Sequence, residues 1–222
     1  KRAEMPEDMI PQLQRIKDII AAFNIPIYIL PGYEADDIIG TIAKQAEKKS
    51  FEVFPITPDK DYIQLISDKI KLIKPGKTAD ELEIFTKEKV LNNYNFEPIY
   101  FIDYLALVGD QSDNVPGVKN VGDKTALPLI QKFHTIENIY EHINEVESDS
   151  TKNKLLNDKE NAFISKELVT INNYVPIEIN FDDMEFNNPN LNEIQKIFEE
   201  LEFKNLWTRV KKIYGNNIDL ST

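Results

Sequence analysis

Residues 109–126 read Gly-Asp-Gln-Ser-Asp-Asn-Val-Pro-Gly-Val-Lys-Asn-Val-Gly-Asp-Lys-Thr-Ala. This stretch contains a pair of acids followed directly by a pair of glycines. Its first part follows an apolar helix predicted over 99–108 and holds Asp110 and Asp113, whose spacing of three places both carboxylates on one side of a turn. Its second part has two glycines that frame a predicted hairpin, followed by a predicted helix over 122–132. The stretch therefore predicts an acidic site joined directly to a glycine-framed turn.

The segment 117–122, called the glycine turn below, suits contact with a phosphate. Glycines let the backbone approach a ligand closely, and N–H groups at the following helix N-terminus can bind an anion without net positive charge on the protein. Lys119 and Lys124 favour this interpretation over an ordinary helix-helix turn. Such contacts position a duplex without reading its sequence. The predicted DNA-binding residues are Gly117, Val118, Lys119, Val121, Gly122, Lys124 and Thr125.

Seven acids fall in three short clusters, of which the first follows an apolar run at 25–30 and the second an apolar run at 51–56. Both runs are predicted strands, and layered α/β folds build their sites at the carboxyl ends of strands. Helix capping explains one acid well, but not three within four residues. The predicted metal-binding residues are Glu34, Asp36, Asp37, Asp59, Asp61, Asp110 and Asp113, called the carboxylate site below.

These acids predict chemistry with divalent ions. Like charges a few ångströms apart raise each other's pKa values, so the acids could not share one pocket without cations. Oxygen ligands without His or Cys select hard ions such as Mg²⁺ or Mn²⁺. We expect two or more ions that generate hydroxide from water and stabilise the transition state of phosphodiester hydrolysis. The predicted catalytic residues include Asp36, Asp37, Asp59 and Asp61.

Two other interpretations of the acids carry less weight. An Asp-x-Asp pair is also typical of phosphatases with an aspartate nucleophile, but the residues after Asp61, Tyr62 and Ile63, do not match their pattern. A calcium loop of the EF-hand type needs a bidentate Glu at its twelfth position, and counting from Asp110 that position is Val121. Hydrolysis assisted by two metal ions remains the favoured hypothesis.

Composition limits the classes of protein that fit. A chain of 222 residues with 41% hydrophobic residues can bury a core, and its net charge of −12 excludes a uniformly basic nucleic-acid-binding surface. Any contact with DNA must be local. The absence of cysteine excludes disulfides and suits a cytoplasmic location, and no apolar run reaches the roughly 20 residues that span a bilayer, so we expect no membrane contact.

Periodicity predicts a layered α/β part over residues 1–95 and a mainly helical part over 96–222. In the first part we expect helices over 6–23, 36–49 and 60–67, and strands over 25–30, 51–56, 69–73 and 83–85. In the second part we expect helices over 99–108, 122–132, 135–143, 158–171, 191–201 and 205–214, with an extended stretch over 175–181.

Four motifs in this order resemble the 5′-nuclease domain of bacterial DNA polymerase I, over a span from about Met5 to Tyr214. The motifs are Gly-Tyr-Glu-Ala-Asp-Asp at 32–37, Asp-Lys-Asp at 59–61, Gly-Asp-Gln-Ser-Asp-Asn at 109–114 and Pro-Gly-Val-Lys-Asn-Val-Gly-Asp-Lys-Thr-Ala at 116–126. The resemblance implies a PIN-like α/β 5′-nuclease domain followed by a helical domain with a helix-hairpin-helix type element. In that family the first three motifs supply metal ligands, and the fourth binds duplex DNA and commonly a K⁺ ion.

The resemblance also implies an activity and partners. The expected activity is that of a structure-specific 5′→3′ exonuclease and flap endonuclease, which removes displaced 5′ flaps and RNA primers in replication and repair at the bacterial nucleoid. A polymerase domain would follow Thr222. The family's first strand, with early metal-binding aspartates, and its helical arch would precede Lys1, and Arg2 resembles the last basic residue of the arch motif, so it joins the predicted catalytic residues. On this interpretation the 222 residues bind metal and DNA but cleave poorly.

Two other functions stay open at this point. A ribonuclease of the related PIN-domain type would cleave RNA without needing a duplex, but such proteins are shorter and lack the hairpin at 117–122. A non-catalytic fragment that binds DNA junctions would bind DNA without metal and without turnover.

Overall fold

The computed structural model describes residues 6–76, 78 and 81–215. The helices and strands of this part, in chain order, are α1 (Met9–Ala22), α2 (Ala35–Lys48), β1 (Leu72–Pro75), β2 (Leu82–Phe85), α3 (Lys87–Tyr94), α4 (Phe101–Val108), α5 (Asp123–Phe133), α6 (Ile136–Glu141), α7 (Asp149–Asn157), α8 (Lys159–Val169), α9 (Leu191–Glu200) and α10 (Lys204–Tyr214). Short 3₁₀ helices lie at Asp61–Leu65, Pro98–Tyr100, Ile143–Glu145 and Phe181–Met184.

One compact unit contains α1, α9 and α10, from residues 6–29 and 178–215 of the described chain. Apolar residues recur on one face of α9, and Ile194, Ile197 and Phe198 are buried there with Ala22 of α1 and Val210 of α10. The N-terminus of α9 is capped by an Asn side chain at position 190 that accepts a hydrogen bond from the N–H of residue 193.

The second compact unit, residues 30–177, is organised around α4. This helix is apolar on almost every side and therefore buried all round, with Phe101, Leu105 and Leu107 at most 1% exposed. It packs most extensively against α8. Its one buried carboxylate, Asp103, accepts hydrogen bonds from Lys166 Nζ at 2.6 Å and from the backbone N–H of Ile136 at 2.8 Å. The burial of that charge is thereby compensated.

A small sheet lies in the same unit. β1 and β2 form an antiparallel pair with Leu72 opposite Phe85 and Pro75 opposite Leu82. The segment 53–57 adds to the other edge of β1 through parallel bridges, Val53 with Ile70 and Ile56 with Ile73. The end of this segment leads directly into the turn that carries Asp59 and Asp61.

The predicted α/β part followed by a mainly helical part is confirmed, but one predicted strand is wrong and a second is reduced to isolated bridges. Residues 25–30 form no strand in the described chain, and residues 51–56 form only isolated bridges. Each run contains a proline, Pro26 or Pro55, which has no N–H to donate to a ladder. The apolar composition of residues 25–30 was misleading. The segment 53–57 does pair, since the N–H groups of Val53 and Thr57 donate to the carbonyls of Lys69 and Ile73, but Pro55 interrupts the ladder between them.

The predicted helices are confirmed within a few residues of their observed ends, except that residues 60–67 yield only a 3₁₀ helix at Asp61–Leu65. Residues 175–181 form no strand. The helices α3 and α7 were missed. Their signals are N-cap side chains: Thr86 accepts from the N–H of Lys89, and Ser148 accepts from the N–H of Thr151. In the described residues no helix has the length and apolar character needed to cross a bilayer.

Removal of the Leu105 side chain tests the central position of α4. Because this side chain is fully buried, we expect Leu105→Ala to lower the free energy of unfolding by about 2–5 kcal/mol, measured by urea denaturation. Leu168→Ala, on a side chain that is 59% exposed on α8, is the matched control and should change stability by no more than about 0.5 kcal/mol. Equal effects of the two substitutions would contradict this account of the core.

Candidate metal centre and nucleic-acid interface

The first acidic cluster lies at the N-terminus of α2. Glu34 is the N-cap residue, with extended backbone, and its side chain makes no capping hydrogen bond. Asp36 and Asp37 occupy the first turn, where the helix dipole favours negative charge. Asp37 Oδ1 accepts a hydrogen bond from the N–H of Asn172 at 2.9 Å, which fixes its orientation. Burial raises the pKa of Asp36, and the charges of the other two acids and of Asp59 raise it further.

The second cluster is a turn that hydrogen-bonds to itself. Asp59 Oδ1 accepts from the N–H of Asp61 at 2.9 Å, and Thr57 Oγ1 accepts from the N–H of Asp59 at 3.2 Å. Asp61 Oδ1 is buried and has no hydrogen-bond partner. Burial, together with the charges of Asp59, Asp110 and Asp113, raises the pKa of Asp61 to about 7, against an opposing effect of Lys60.

The third cluster lies directly after α4. Asp110 and Val115 exchange two backbone hydrogen bonds, of 3.0 Å from the Asp110 N–H and 2.7 Å from the Val115 N–H. Asp110 Oδ2 lies 2.8 Å from Lys60 Nζ, and its Oδ1 accepts from the N–H of Ser112 at 2.8 Å. The hydrogen bonds from Lys60 and Ser112 lower the pKa of Asp110 to about 2. Asp113 is exposed in the same turn.

The clusters therefore act on one another electrostatically: Asp61 is affected by Asp110 and Asp113, and Asp36 by Asp59. Among the described residues, however, no three His, Cys, Asp or Glu side chains are arranged to hold a metal ion. The buried, unpartnered Asp61 oxygen and an all-oxygen donor set fit a hard divalent ion. The ligand roles of the seven acids stay predictions.

The glycine turn is held tightly by the rest of the protein. Gly117 has φ of +62°, and a Cβ there would lie 2.6 Å from the backbone N of Gly109, so no larger residue fits. Its own N–H donates to Ser165 Oγ at 2.9 Å. The N–H of Val118 donates to the carbonyl of Leu107 at 2.8 Å. These backbone donors are therefore occupied by the protein itself.

The remaining predicted DNA-binding residues differ in what they offer a ligand. Val118 and Val121 have buried side chains, so they shape the turn from inside. Lys119 and Lys124 are exposed, and Thr125 is half-buried. Gly122 is exposed, and a Cβ there would meet no atom within 4 Å. The surface open to a phosphate is thus the side of Gly122 and the first turn of α5.

Three residues near the carboxylate site were missed in the sequence. Lys60 pairs with Asp110, and its position between Asp59 and Asp61 was a usable signal. Burial raises the pKa of Tyr62, and Asp36 and Asp59 raise it further. Burial lowers the pKa of Lys74, while Glu83 and Asp59 oppose that shift. No motif pointed to Lys74, because the fold alone brings it near the acids. Arg2 lies outside the described residues.

Comparison with known proteins identifies the family. The family model "5′-3′ exonuclease, N-terminal resolvase-like domain" matches residues 1–95, and "5′-3′ exonuclease, C-terminal SAM fold" matches residues 96–192. A 5′-3′ exonuclease of Aquifex aeolicus is 37% identical over 214 residues, which are 96% of this chain and 71% of that protein. The chain belongs to the 5′-3′ exonuclease family. The resemblance drawn from the four motifs is confirmed.

Other relatives of this chain are longer. The DNA polymerase I of Bacillus subtilis is 40% identical over 209 residues, which cover 94% of this chain and 24% of that protein. The chain spans about a quarter of the length of the DNA polymerase I proteins it matches. A solved structure of the bacteriophage T5 flap endonuclease with DNA and metal ions shares the fold, with a TM-score of 0.62 at 22% identity, over 91% of this chain and 73% of that one.

The division of the chain at residue 95 stays a prediction. The two family models meet there, whereas the compact units of the structure are residues 30–177 and the segments on either side of them. The buried core of the larger unit includes Leu72 before the proposed boundary and Leu105 after it.

The raised pKa of Asp61 predicts how the stability of the metal-free protein depends on pH. The folded protein holds this proton more tightly than the unfolded chain, so the contribution of Asp61 to stability is present below the ordinary carboxyl range of about 4 and is lost as the pH rises through about 7. We expect Asp61→Asn to raise the melting temperature in EDTA at about pH 8 and the gain to shrink toward about pH 4. Thermal unfolding followed by circular dichroism measures this, and a pH-independent difference would contradict it.

Proposed function

We propose that this 5′-3′ exonuclease family member hydrolyses DNA phosphodiesters at 5′ ends and 5′ flaps with divalent metal ions. The observation that carries the proposal is the buried, unpartnered oxygen of Asp61 among acids that raise its pKa, with the glycine turn leading directly from Asp110 and Asp113. Burial of carboxylates without a compensating partner costs stability, which cations at this position would restore.

The acids of the carboxylate site are the proposed ligands. Asp36, Asp59, Asp61, Asp110 and Asp113 would hold the ions, since each is linked electrostatically to another cluster. Bound ions of this type supply an activated water molecule and stabilise the charge that develops on the phosphate. Mg²⁺ and Mn²⁺ are the proposed ions because the donor set is all oxygen.

The chain's own residues prepare this site. Lys60 forms an ion pair with Asp110 and offers an ammonium group at the edge of the acids. The hydrogen bond from Asn172 orients Asp37, and the turn of Asp59 orients the backbone of Asp61. These contacts hold the carboxylates in place before an ion binds, which reduces the conformational entropy lost when the side chains become metal ligands.

The glycine turn is the proposed contact with duplex DNA. In a protein with a net charge of −12, binding must come from a small surface, and here that surface consists of Lys119, Lys124 and the first turn of α5. The Tyr104 hydroxyl donates to Asp123 Oδ1 at 2.5 Å and holds this acid of the first turn in place. A polymerase domain in the same polypeptide belongs to the proposal on the strength of the DNA polymerase I relatives. A K⁺ ion at the turn and RNA primers as substrates belong to it through the resemblance of the four motifs alone.

Removal of Asp113 tests the metal chemistry. This acid is exposed, so Asp113→Ala leaves the core intact, and we expect Mn²⁺-dependent cleavage of a labelled 5′-flap DNA to fall by at least about a hundredfold while flap binding changes little. Glu141→Ala removes an exposed acid from α6 and is the control of equal charge, with activity unchanged. Retained turnover in Asp113→Ala would contradict the ligand assignment. Metal-independent binding without turnover in the complete wild-type protein would favour the junction-binding alternative.

A side chain at position 122 tests the DNA contact. The structure has open space for it, so Gly122→Phe should fold with an unchanged melting temperature. The ring would stand where a phosphate approaches the helix N-terminus, and we expect duplex affinity to fall by about tenfold or more in fluorescence anisotropy. Gly117 is unsuitable for this purpose because a substitution there disrupts the fold first. Unchanged affinity in Gly122→Phe would refute the role of the turn.

A further inference from the structure

The beginning of α8 holds the glycine turn. Asp158, which joins α7 to α8, accepts a hydrogen bond at Oδ2 from the N–H of Lys119 at 2.8 Å. One helical turn before it, Lys154 Nζ donates to the carbonyl of Asn120 at 3.1 Å. Further along α8, the fully buried Ser165 accepts from Gly117. Three hydrogen bonds therefore hold the turn, one from α7, one from the junction between α7 and α8, and one from within α8.

The end of α8 holds the carboxylate site through one buried side chain. Gln64, only 5% exposed, donates from Nε2 to the carbonyl of Val169 at 2.8 Å and to the carbonyl of Asp61 at 2.9 Å. Its Oε1 accepts from the N–H of Ile171 at 3.0 Å. One amide group thus ties the last residue of α8 to the backbone of the acid with the most strongly perturbed pKa.

A second tie leads from the same end to α2. The N–H of Asn172 donates to Asp37 at 2.9 Å, and the Asn172 carbonyl accepts from Thr41 Oγ1 at 3.2 Å. Thr41 Oγ1 also accepts from the N–H of Val175 at 3.0 Å. The segment after α8 is therefore fixed against the helix that carries the first acidic cluster.

Between these ends α8 is rigidly supported. It packs along α4, and Lys166 Nζ lies 2.6 Å from both Asp103 Oδ1 and Glu137 Oε2. Its 11 residues span about 16 Å at the α-helical rise. Packed protein interiors deform little. The two ends of α8 therefore keep a fixed distance from each other.

We infer that α8 is a spacer that sets the distance between the duplex-holding turn and the carboxylates of the first two clusters, and hence the nucleotide at which the strand is cut. Asp158, Ser165 and Gln64 are positioning residues in this account, and none of them touches the substrate. The inference rests on the proposed function, since it concerns where the proposed cleavage falls. It assigns the choice of cut position to hydrogen bonds remote from the reacting phosphate.

The test uses the complete natural protein, a labelled 5′-flap DNA and product lengths resolved to one nucleotide. Asp158→Ala frees the Lys119 N–H, and we expect duplex affinity to fall about tenfold and cuts to spread to neighbouring nucleotides. Asp158→Asn keeps an acceptor oxygen and should restore both. Glu160→Ala, on an exposed acid of the same helix, is the matched control and should behave as wild type.

Gln64→Met keeps a similar side-chain volume but removes the hydrogen bonds between the end of α8 and the backbone of Asp61. We expect its cuts to spread and kcat to fall while duplex affinity stays at the wild-type value. A purely structural role would lower the melting temperature without moving the cut. Because Gln64 is buried, Asp158→Ala decides the question alone if Gln64→Met does not fold.

The outcomes separate the two claims. If wild-type protein cuts flap DNA and Asp158→Ala cuts at the same nucleotide with the same affinity, the spacer is refuted and the proposed function stands. If wild-type protein cuts no flap DNA with Mg²⁺ or Mn²⁺, the proposed function is refuted, and the spacer with it.

Discussion

Helix α4 is buried against α8, and the chain leaves it at Gly109 with φ of +75°, where a Cβ would lie 2.7 Å from the carbonyl of Val115. Only glycine permits this approach. Immediately after Gly109 the chain carries Asp110 and Asp113 and then returns, so that Gly117 contacts Gly109. The acids and the glycine turn therefore start from the same contact at the end of α4. The rest of the functional surface depends on this contact, because Ser165 of α8 then binds Gly117 and Gln64 joins the end of α8 to Asp61.

Electrostatics gives the site its second constraint. The protein carries a net charge of −12 and yet belongs to a family that acts on nucleic acid ends. Lys119, Lys124 and the start of α5 are exposed at the surface, whereas the Oδ1 atom of Asp61 is buried. Lys60 lies beside the acids and forms an ion pair with Asp110.

Most of the helices and the residues of the candidate site could be predicted from the sequence, because their motifs are local. The helices follow from 3.6-residue periodicity, and the acids and glycines are adjacent in the chain. The contacts that could not be predicted join distant positions: Gln64 with Val169, Asp37 with Asn172 and Ser165 with Gly117. A buried Gln or Ser looks like any polar residue until the fold supplies its partner. The strand predicted at 25–30 is absent and the one at 51–56 is interrupted at Pro55, since apolar composition does not show where a proline removes a backbone donor.

The central claim is that the three acidic clusters converge on divalent ions. A crystal structure of the complete protein soaked with Mn²⁺, with anomalous scattering data, tests it most directly. The account predicts strong anomalous peaks bonded to Asp61 and to at least one carboxylate of each other cluster, with Lys60 displaced from Asp110. Peaks absent from this site, or confined to a single cluster with the Lys60–Asp110 pair intact, would contradict it.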